Sequence, residues 1–206
     1  MSENTLTLIK GMDVKELEIQ IALQCAPVIA GLKISNLLIV QKEYLDTIRA
    51  MLKETQLSYE ILLCRKGQIT LLIYKELEVK NYLAQGKVKE LLNKLGYASC
   101  TLKNLLKSVR EGYEMYMEKK KDFPHELGIL LGYPPEDVQG FIENRGENFL
   151  YAGYWKVYEN LPAKLKLFQK YEQAGESIIQ LIALGVSVKD VIEIYSEKTP
   201  KKVWAL

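Results

Sequence analysis

Apolar residues recur at two different spacings along the chain, and each spacing predicts a different element. Residues 14–24 repeat apolar positions at a helical spacing, which predicts a helix with Asp13 as its N-cap. We expect this helix to end near Cys25, because Pro27 would interrupt it. Residues 31–40 are rich in Ile, Leu and Val and predict a strand.

The next part of the chain predicts a helix and a β-hairpin. Residues 44–54 return to helical spacing, whereas residues 59–64 and 68–74 are apolar runs joined by Arg65-Lys66-Gly67. A short connection that contains glycine between two such runs is typical of a hairpin. The order strand, helix, strand, strand therefore indicates an α+β fold with an antiparallel pair.

Helical patterns dominate from residue 79 onward. A long amphipathic helix is predicted over residues 102–121, ended by Phe123-Pro124, and a further helix over residues 163–184. Ser99 and Ser187 would begin the helices that follow them. Three Leu-Gly-apolar units lie between helical stretches, and we interpret each as a Schellman cap in which a left-handed glycine ends a helix. These units are Leu95-Gly96-Tyr97, Leu131-Gly132-Tyr133 and Leu184-Gly185-Val186.

Residues 149–158 combine aromatic and β-branched residues between turn signals, and they predict a strand that joins the N-terminal sheet. The complete prediction is an α+β protein with a small, mainly antiparallel sheet packed against several helices and a helical C-terminal half. It forms one domain over residues 1–206. Its parts are a sheet-rich segment (14–75), a helical segment (79–145), the strand (149–158), C-terminal helices (163–196) and a peripheral tail.

Charge and cysteine content narrow the class of protein. The 28 basic and 26 acidic residues give a net charge of +2 and are mostly interspersed, so the chain does not show the field expected of a nucleic-acid or membrane partner. Cys25, Cys64 and Cys100 fit no zinc or disulfide framework, which favours a reducing compartment. The N-terminus lacks the pattern of a secretory signal, and we expect a cytoplasmic protein.

The window from residue 123 to residue 157 concentrates the residues that shape a site. It holds the only histidine, His125, with three of the six prolines and five of the thirteen glycines. Gly and Pro occur where a chain turns tightly or approaches a ligand closely. The window therefore predicts a functional site.

The motifs of this window also resemble an uncharacterised family of small bacterial proteins, a domain of unknown function. The motifs are Phe-Pro-His-Glu-Leu-Gly, Leu-Gly-Tyr-Pro-Pro-Glu-Asp-Val-Gln-Gly-Phe and Gly-Tyr-Trp-Lys-Val-Tyr. Cys25-Ala26-Pro27 and the following Ala30-Gly31-Leu32-Lys33 resemble another part of the same family. The resemblance extends over most of the chain, from Val14 to Ala174, and implies no particular activity.

His125 and Glu126 are the candidate catalytic residues. An imidazole titrates near neutral pH and would serve as a general acid or base, whereas the alternative is a side chain that only orders the turn. A mixed metal site of His125, Glu126 and a cysteine stays open, but no spacing of ligand pairs supports it, and we predict no metal.

Cys25 would act as a nucleophile if folding brought it to His125. The negative end of a helix disfavours a thiolate, so we favour a buried structural cysteine and expect the two side chains to be too far apart to cooperate. Pro134-Pro135-Glu136-Asp137 predicts a helix start. A helix-turn-helix is disfavoured there, because Glu136 and Asp137 would repel phosphates.

Arg145, Tyr154, Trp155 and Lys156 are the candidate ligand-binding residues. Strand alternation would place Tyr154 and Lys156 on one face, where an aromatic ring and a cation suit a planar or anionic ligand. We therefore expect a small-ligand-binding protein or an enzyme of unassigned reaction and cofactor. The alternative is an interaction module with an aromatic docking surface. A concave pocket would favour a ligand, and a flat apolar patch would favour a protein partner.

Overall fold

The computed structural model describes residues 3–13, 16–97 and 101–198. The helices of the first half are α1 (Glu3–Lys10), α2 (Leu17–Ile29), α3 (Leu45–Leu52), α4 (Glu76–Leu83) and α5 (Gly86–Lys94). The later helices are α6 (Leu102–Met117), α7 (Glu126–Leu130), α8 (Pro135–Glu143), α9 (Leu161–Ala183) and α10 (Val188–Lys198). The strands are β1 (Ser35–Gln41), β2 (Ser58–Arg65), β3 (Gln68–Tyr74), β4 (Tyr151–Ala152) and β5 (Lys156–Val157).

The first three strands form an antiparallel sheet in the order β1-β3-β2, which confirms the α+β prediction. The predicted hairpin joins β2 to β3 through Lys66 and Gly67, whose φ values of 50° and 77° suit a tight hairpin turn. As the central strand, β3 is buried on both faces, and its apolar run is therefore continuous instead of alternating.

Helices cover both faces of this sheet. Leu38 and Leu71 point toward a core shared with α2, α3, α9 and α10. Leu62 and Leu72 point toward a second core shared with α4, α5, α6, α7 and α8. Within the described residues, no helix is both long enough and apolar enough to cross a bilayer.

Helix α2 continues through Pro27 to Ile29, so the predicted end near Cys25 is wrong, and its N-cap is Glu16 instead of Asp13. Val28 and Ile29 are almost fully buried, and this packing outweighs the loss of one helical hydrogen bond. Gly31, at φ 71°, closes the helix, and the strand consequently begins at Ser35 instead of residue 31.

The three Leu-Gly-apolar units are confirmed as Schellman caps. Their glycines have φ values of 89°, 70° and 85°. The backbone N–H of the following residue donates to a carbonyl five residues earlier in each cap, at 2.8, 3.0 and 3.1 Å. Ser187 begins α10, where its hydroxyl accepts from the Asp190 backbone. The predicted start at Ser99, Cys100, Val14 and the tail from residue 199 lie outside the described residues.

The ends of two further elements differ from the predictions. Helix α6 ends at Met117, four residues early, because Lys119 adopts a left-handed conformation with φ 60°. Residues 149–158 do not join the N-terminal sheet, and they form their own hairpin from β4 and β5.

The outer edge of β1 offers a physical reason why this hairpin stays separate. The Gln24 side chain pairs with the Ile39 backbone, accepting from its N–H at 2.8 Å and donating to its carbonyl at 3.1 Å. The edge of the sheet is thus occupied by α2.

Candidate functional site

A cleft of about 560 Å³ opens between α2, the start of β1 and a wall built from the β4–β5 hairpin and α9. This volume falls within the roughly 300–1,000 Å³ that small-molecule sites commonly enclose. Most of the wall is aromatic, formed by Tyr133, Tyr151, Tyr154, Phe168 and Tyr171. We call this group the aromatic wall.

The rings of the aromatic wall hold one another in place by edge contacts. Tyr154 packs edge-on against Tyr171 with 4.9 Å between ring centres, and its ring also lies 5.3 Å from that of Phe168. Trp155 lies behind the wall, stacked on Tyr133 at 5.1 Å and edge-on to Phe168 at 4.6 Å. Such pairs fix ring orientation, so the wall is ordered before a ligand arrives.

Small residues keep the cleft open. A Cβ atom on Gly153 would lie 2.5 Å from the Phe168 ring, so only glycine permits the hairpin to pack on α9. Across the cleft, Ala22 and Ala26 of α2 present short side chains, and Gly175 of α9 approaches Ala26 closely. Larger side chains at these positions would fill the space that the aromatic wall encloses.

Among the described residues, Lys33 is the one cation that lines the cleft. It is only 5% exposed, and its Nζ lies 5.2 Å from the centre of the Tyr133 ring. No hydrogen bond or ion pair reaches this Nζ from any described residue. Burial lowers the pKa of Lys33 to about 8, since the ammonium has left water without gaining a carboxylate.

Asn36 adds an unpaired acceptor to the same cleft. Its Oδ1 is buried and has no hydrogen-bond partner. Buried polar atoms without a partner are rare in native proteins and mark places where a ligand or water is expected. The cleft therefore combines an apolar wall with one free donor group and one free acceptor atom.

Cys25 lies beside this cleft but belongs to the core. Its side chain is buried, as predicted, and Sγ lies 4.0 Å from the Leu37 carbonyl oxygen. Burial raises the pKa of the Cys25 thiol to about 12, so the sulfur stays protonated at neutral pH. This environment disfavours a thiolate nucleophile.

His125 and Glu126 do not line the cleft. His125 and Lys156 both lie against the Phe141 ring. The His125 ring contacts Phe123 and Phe141, with ring centres 6.2 and 5.8 Å away. Glu126 is buried, and its carboxylate accepts a hydrogen bond from the Tyr97 hydroxyl. Of the predicted binding residues, Tyr154 alone lines the cleft.

The other predicted binding residues support the hairpin. Lys156 donates to the Gly146 carbonyl at 2.7 Å and lies over the Phe149 ring at 4.7 Å. Arg145 is exposed in a left-handed turn, at φ 52°, directly after α8. Trp155 is buried and donates its indole N–H to Asp137 at 2.7 Å.

The sequence predicted Asp137 as part of a helix start, and the structure shows that it also joins α8 to the hairpin. The backbone N–H groups of Tyr158 and Glu159 donate to its Oδ1 at 2.8 and 3.2 Å, in addition to the Trp155 bond. Lys164 lies 3.7 Å from Oδ2. Both oxygens of the Asp137 carboxylate therefore already accept hydrogen bonds from groups within the protein.

Among the described residues, no group of three or more His, Cys, Asp and Glu side chains is arranged to hold a metal ion.

The fold and the cleft define an α+β protein whose candidate ligand site lies between a sheet edge and an aromatic hairpin. The chain belongs to the family described as "Protein of unknown function (DUF3793)", whose model matches residues 21–192. A comparison with curated proteins and a comparison with solved structures each gave no match. The matched segment contains every residue that lines the cleft, from Ala22 to Ile179.

Proposed function

We propose that this protein is cytoplasmic and binds a small, planar organic ligand in the cleft between α2 and the aromatic wall. The ligand lays an apolar body against Tyr154 and Phe168 and directs a polar group toward Lys33. Neither nucleic acid nor membrane is part of the proposal, because basic and acidic residues are mostly interspersed and net charge is +2.

The observation that carries the proposal is the pair of unpaired polar groups at the cleft. Lys33 and Asn36 sit beside aromatic side chains, and no residue in the described part of the chain pairs with the Lys33 ammonium or with Asn36 Oδ1. Burial of such groups costs free energy unless they are hydrogen-bonded. A bound ligand that accepts from Lys33 and donates to Asn36 would remove both costs at once.

The shape of the surface favours a ligand over a docked protein. Tyr151 and Tyr154 are 45% and 38% exposed, but both line the cleft instead of standing on a flat patch. A concave, apolar site with a few polar groups is the common form of a small-molecule site. An interaction module with an aromatic surface stays the second candidate, supported by Phe149 and Leu150, which are exposed beside the hairpin.

Binding of 2-naphthoate, a planar probe, tests the proposal. In a Trp204→Phe background Trp155 is the only tryptophan, and its stacking on Tyr133 makes its fluorescence a reporter of the cleft. We expect saturable quenching, weakened about three- to tenfold by Tyr154→Ala, because one aromatic contact is lost.

Tyr116→Ala is the matched control, since Tyr116 is 40% exposed and does not line the cleft. It should leave probe binding unchanged. Equal binding by the Tyr154 and Tyr116 variants, or no binding by the parent protein, would overturn the proposal.

A further inference from the structure

Four buried charges among the described residues differ in how they are paired, and one of them, Lys75, interacts with Glu78 and does not line the cleft. Asp137 and Glu126 are 2% and 8% exposed, and both accept hydrogen bonds from neighbouring side chains. Lys33 is 5% exposed, and its Nζ lies over the face of the Tyr133 ring without a hydrogen bond or ion pair from any described residue. A buried charge is normally paired, so an unpaired one that lines a cleft marks a place for a counter-ion.

From this cleft we infer that the natural ligand is a planar carboxylic acid, whose carboxylate pairs with Lys33 Nζ and whose body lies against the aromatic wall. This inference rests on the proposed function. It adds the chemical class of the ligand.

The groups that face Lys33 leave its charge uncompensated. Cys25 of α2 stays a neutral thiol, and burial raises the pKa of Tyr133, after α7, to about 12 and raises those of Tyr154 in the hairpin and Tyr171 of α9. Glu172 of α9 also lines the cleft, but it is exposed and has interactions of its own. An anion inside the cleft would thus meet one cation and neutral rings, with the exposed Glu172 carboxylate also lining the cleft.

A single carboxylate fits this donor set better than a phosphate. Phosphate groups are typically held by several donors, by Arg forks or by the first turn of a helix. None of the four arginines lines the cleft, and α2 contributes residues from its middle and C-terminal turns. One ammonium group matches one carboxylate in charge, and Asn36 Oδ1 suits a hydroxyl or amino group on the same ligand.

Proton uptake should accompany binding. The free protein holds Lys33 with a pKa of about 8, whereas a paired carboxylate favours the charged amine and returns the pKa toward 10.5. At about pH 9 the free amine is mostly neutral, so binding of the anion draws close to one proton from the buffer. Affinity should therefore fall as pH rises above about 8.

Two isosteric probes separate this inference from the proposed function. By titration calorimetry at pH 7, we expect 2-naphthoate to bind about tenfold or more tightly than the neutral 2-naphthamide. Lys33→Met should abolish that preference while the amide still binds, which also shows that the cleft is folded. Lys170→Met, at an exposed lysine on α9 outside the cleft, should keep the preference. At pH 9, measurements in two buffers of different ionisation enthalpy should show proton uptake with the wild type alone.

Each other outcome has a distinct meaning. If both probes bind equally, or Lys33→Met keeps the preference, the acid assignment is wrong while the ligand site stands. Tighter binding of 2-naphthyl phosphate than of 2-naphthoate would show that the acidic group of the ligand is a phosphate and not a carboxylate. If neither naphthyl probe binds, the inference and the proposed function both fail.

Discussion

Asp137 and Lys33 are buried charges at the two ends of one aromatic stack, and they differ in whether other groups pair with them. Trp155 donates to Asp137 and stacks on Tyr133, whose ring lies under the Lys33 ammonium. Asp137 accepts from three N–H groups, whereas Lys33 has neither a hydrogen bond nor an ion pair within the described chain.

The contrast shows that burial of a charge does not by itself mark a functional site. A carboxylate whose hydrogen bonds are complete fixes the hairpin to α8, and it has no capacity left for a ligand. A buried amine without partners destabilises the folded protein until something binds it. The missing partner is therefore the more informative observation.

Removal of Asp137 should have the largest effect. Asp137→Ala leaves the Trp155 indole N–H and two backbone N–H groups without an acceptor, and we expect the free energy of unfolding to fall by about 3–5 kcal/mol. Urea denaturation followed by circular dichroism measures this. Glu143→Ala, at an exposed position of the same helix, should change stability by less than about 0.5 kcal/mol. A loss below about 1 kcal/mol for Asp137→Ala would contradict the structural role that we assign to it.

Removal of the Lys33 charge should act in the opposite direction. The pKa of Lys33 falls from 10.5 to about 8 on folding, which corresponds to about 3 kcal/mol at 1.36 kcal/mol per pKa unit. Lys33→Met should therefore raise the free energy of unfolding at pH 7 by an amount of this order. Between about pH 8 and 10.5 the unfolded chain binds the proton more tightly than the folded chain, so wild-type stability rises relative to the variant with pH.

Denaturation of both proteins from pH 7 to 10 measures this difference. Burial of Cys25 lowers stability above about pH 9, but it does so in both proteins and cancels in the comparison. A constant difference between wild type and variant across this range would show that Lys33 is not a buried, unpaired amine.

Two glycine substitutions should distinguish the cleft from the region around Asp137, because both should lower stability but only one should weaken ligand binding. A Cβ on Gly140 would lie 2.5 Å from the Tyr158 ring, and one on Gly153 would lie 2.5 Å from the Phe168 ring. We expect either alanine substitution to cost about 1–3 kcal/mol through overpacking. Gly153→Ala should in addition weaken 2-naphthoate binding, whereas Gly140→Ala should not. Gly86→Ala is the control, because its Cβ meets nothing within 4 Å.

The smallest effect is expected at His125. Its ring contacts Phe123 and Phe141 and does not line the cleft, so His125→Ala should leave probe affinity unchanged. The fluorescence titration with 2-naphthoate measures this. A clear loss of affinity would show that the site includes the Pro-His-Glu turn, as the sequence predicted.

Most of the fold was predictable because its signals are local. The β2–β3 hairpin and the three glycine caps depend on residues only a few positions apart, and the structure confirms them. The passage of α2 through Pro27 was not predictable, because it depends on the burial of Val28 and Ile29 in a core made by distant elements. The occupation of the β1 edge likewise depends on Gln24, more than 100 residues before the hairpin of residues 149–158.

The site was predictable only in part. Tyr154 was predicted from its window. Lys33 and Asn36 carried one signal that we did not use for the site, because they are two of the three polar residues inside the apolar run from residue 26 to residue 40. Whether these two side chains have partners depends on the tertiary structure, because a sequence does not show which side chains come into contact. For Asp137 the helix-start prediction is correct, yet its three donors come from residues 18, 21 and 22 positions later.

The pairing of Gln24 with Ile39 has a consequence for self-association. An open strand edge is a template on which a second copy of a chain can add its own strand, and this is a common route to aggregation. One amide side chain occupies the N–H and the carbonyl of Ile39 and removes that template at the middle of β1. Because α2 supplies this side chain, the middle of the edge stays closed to a second copy of the chain as long as α2 packs on the sheet.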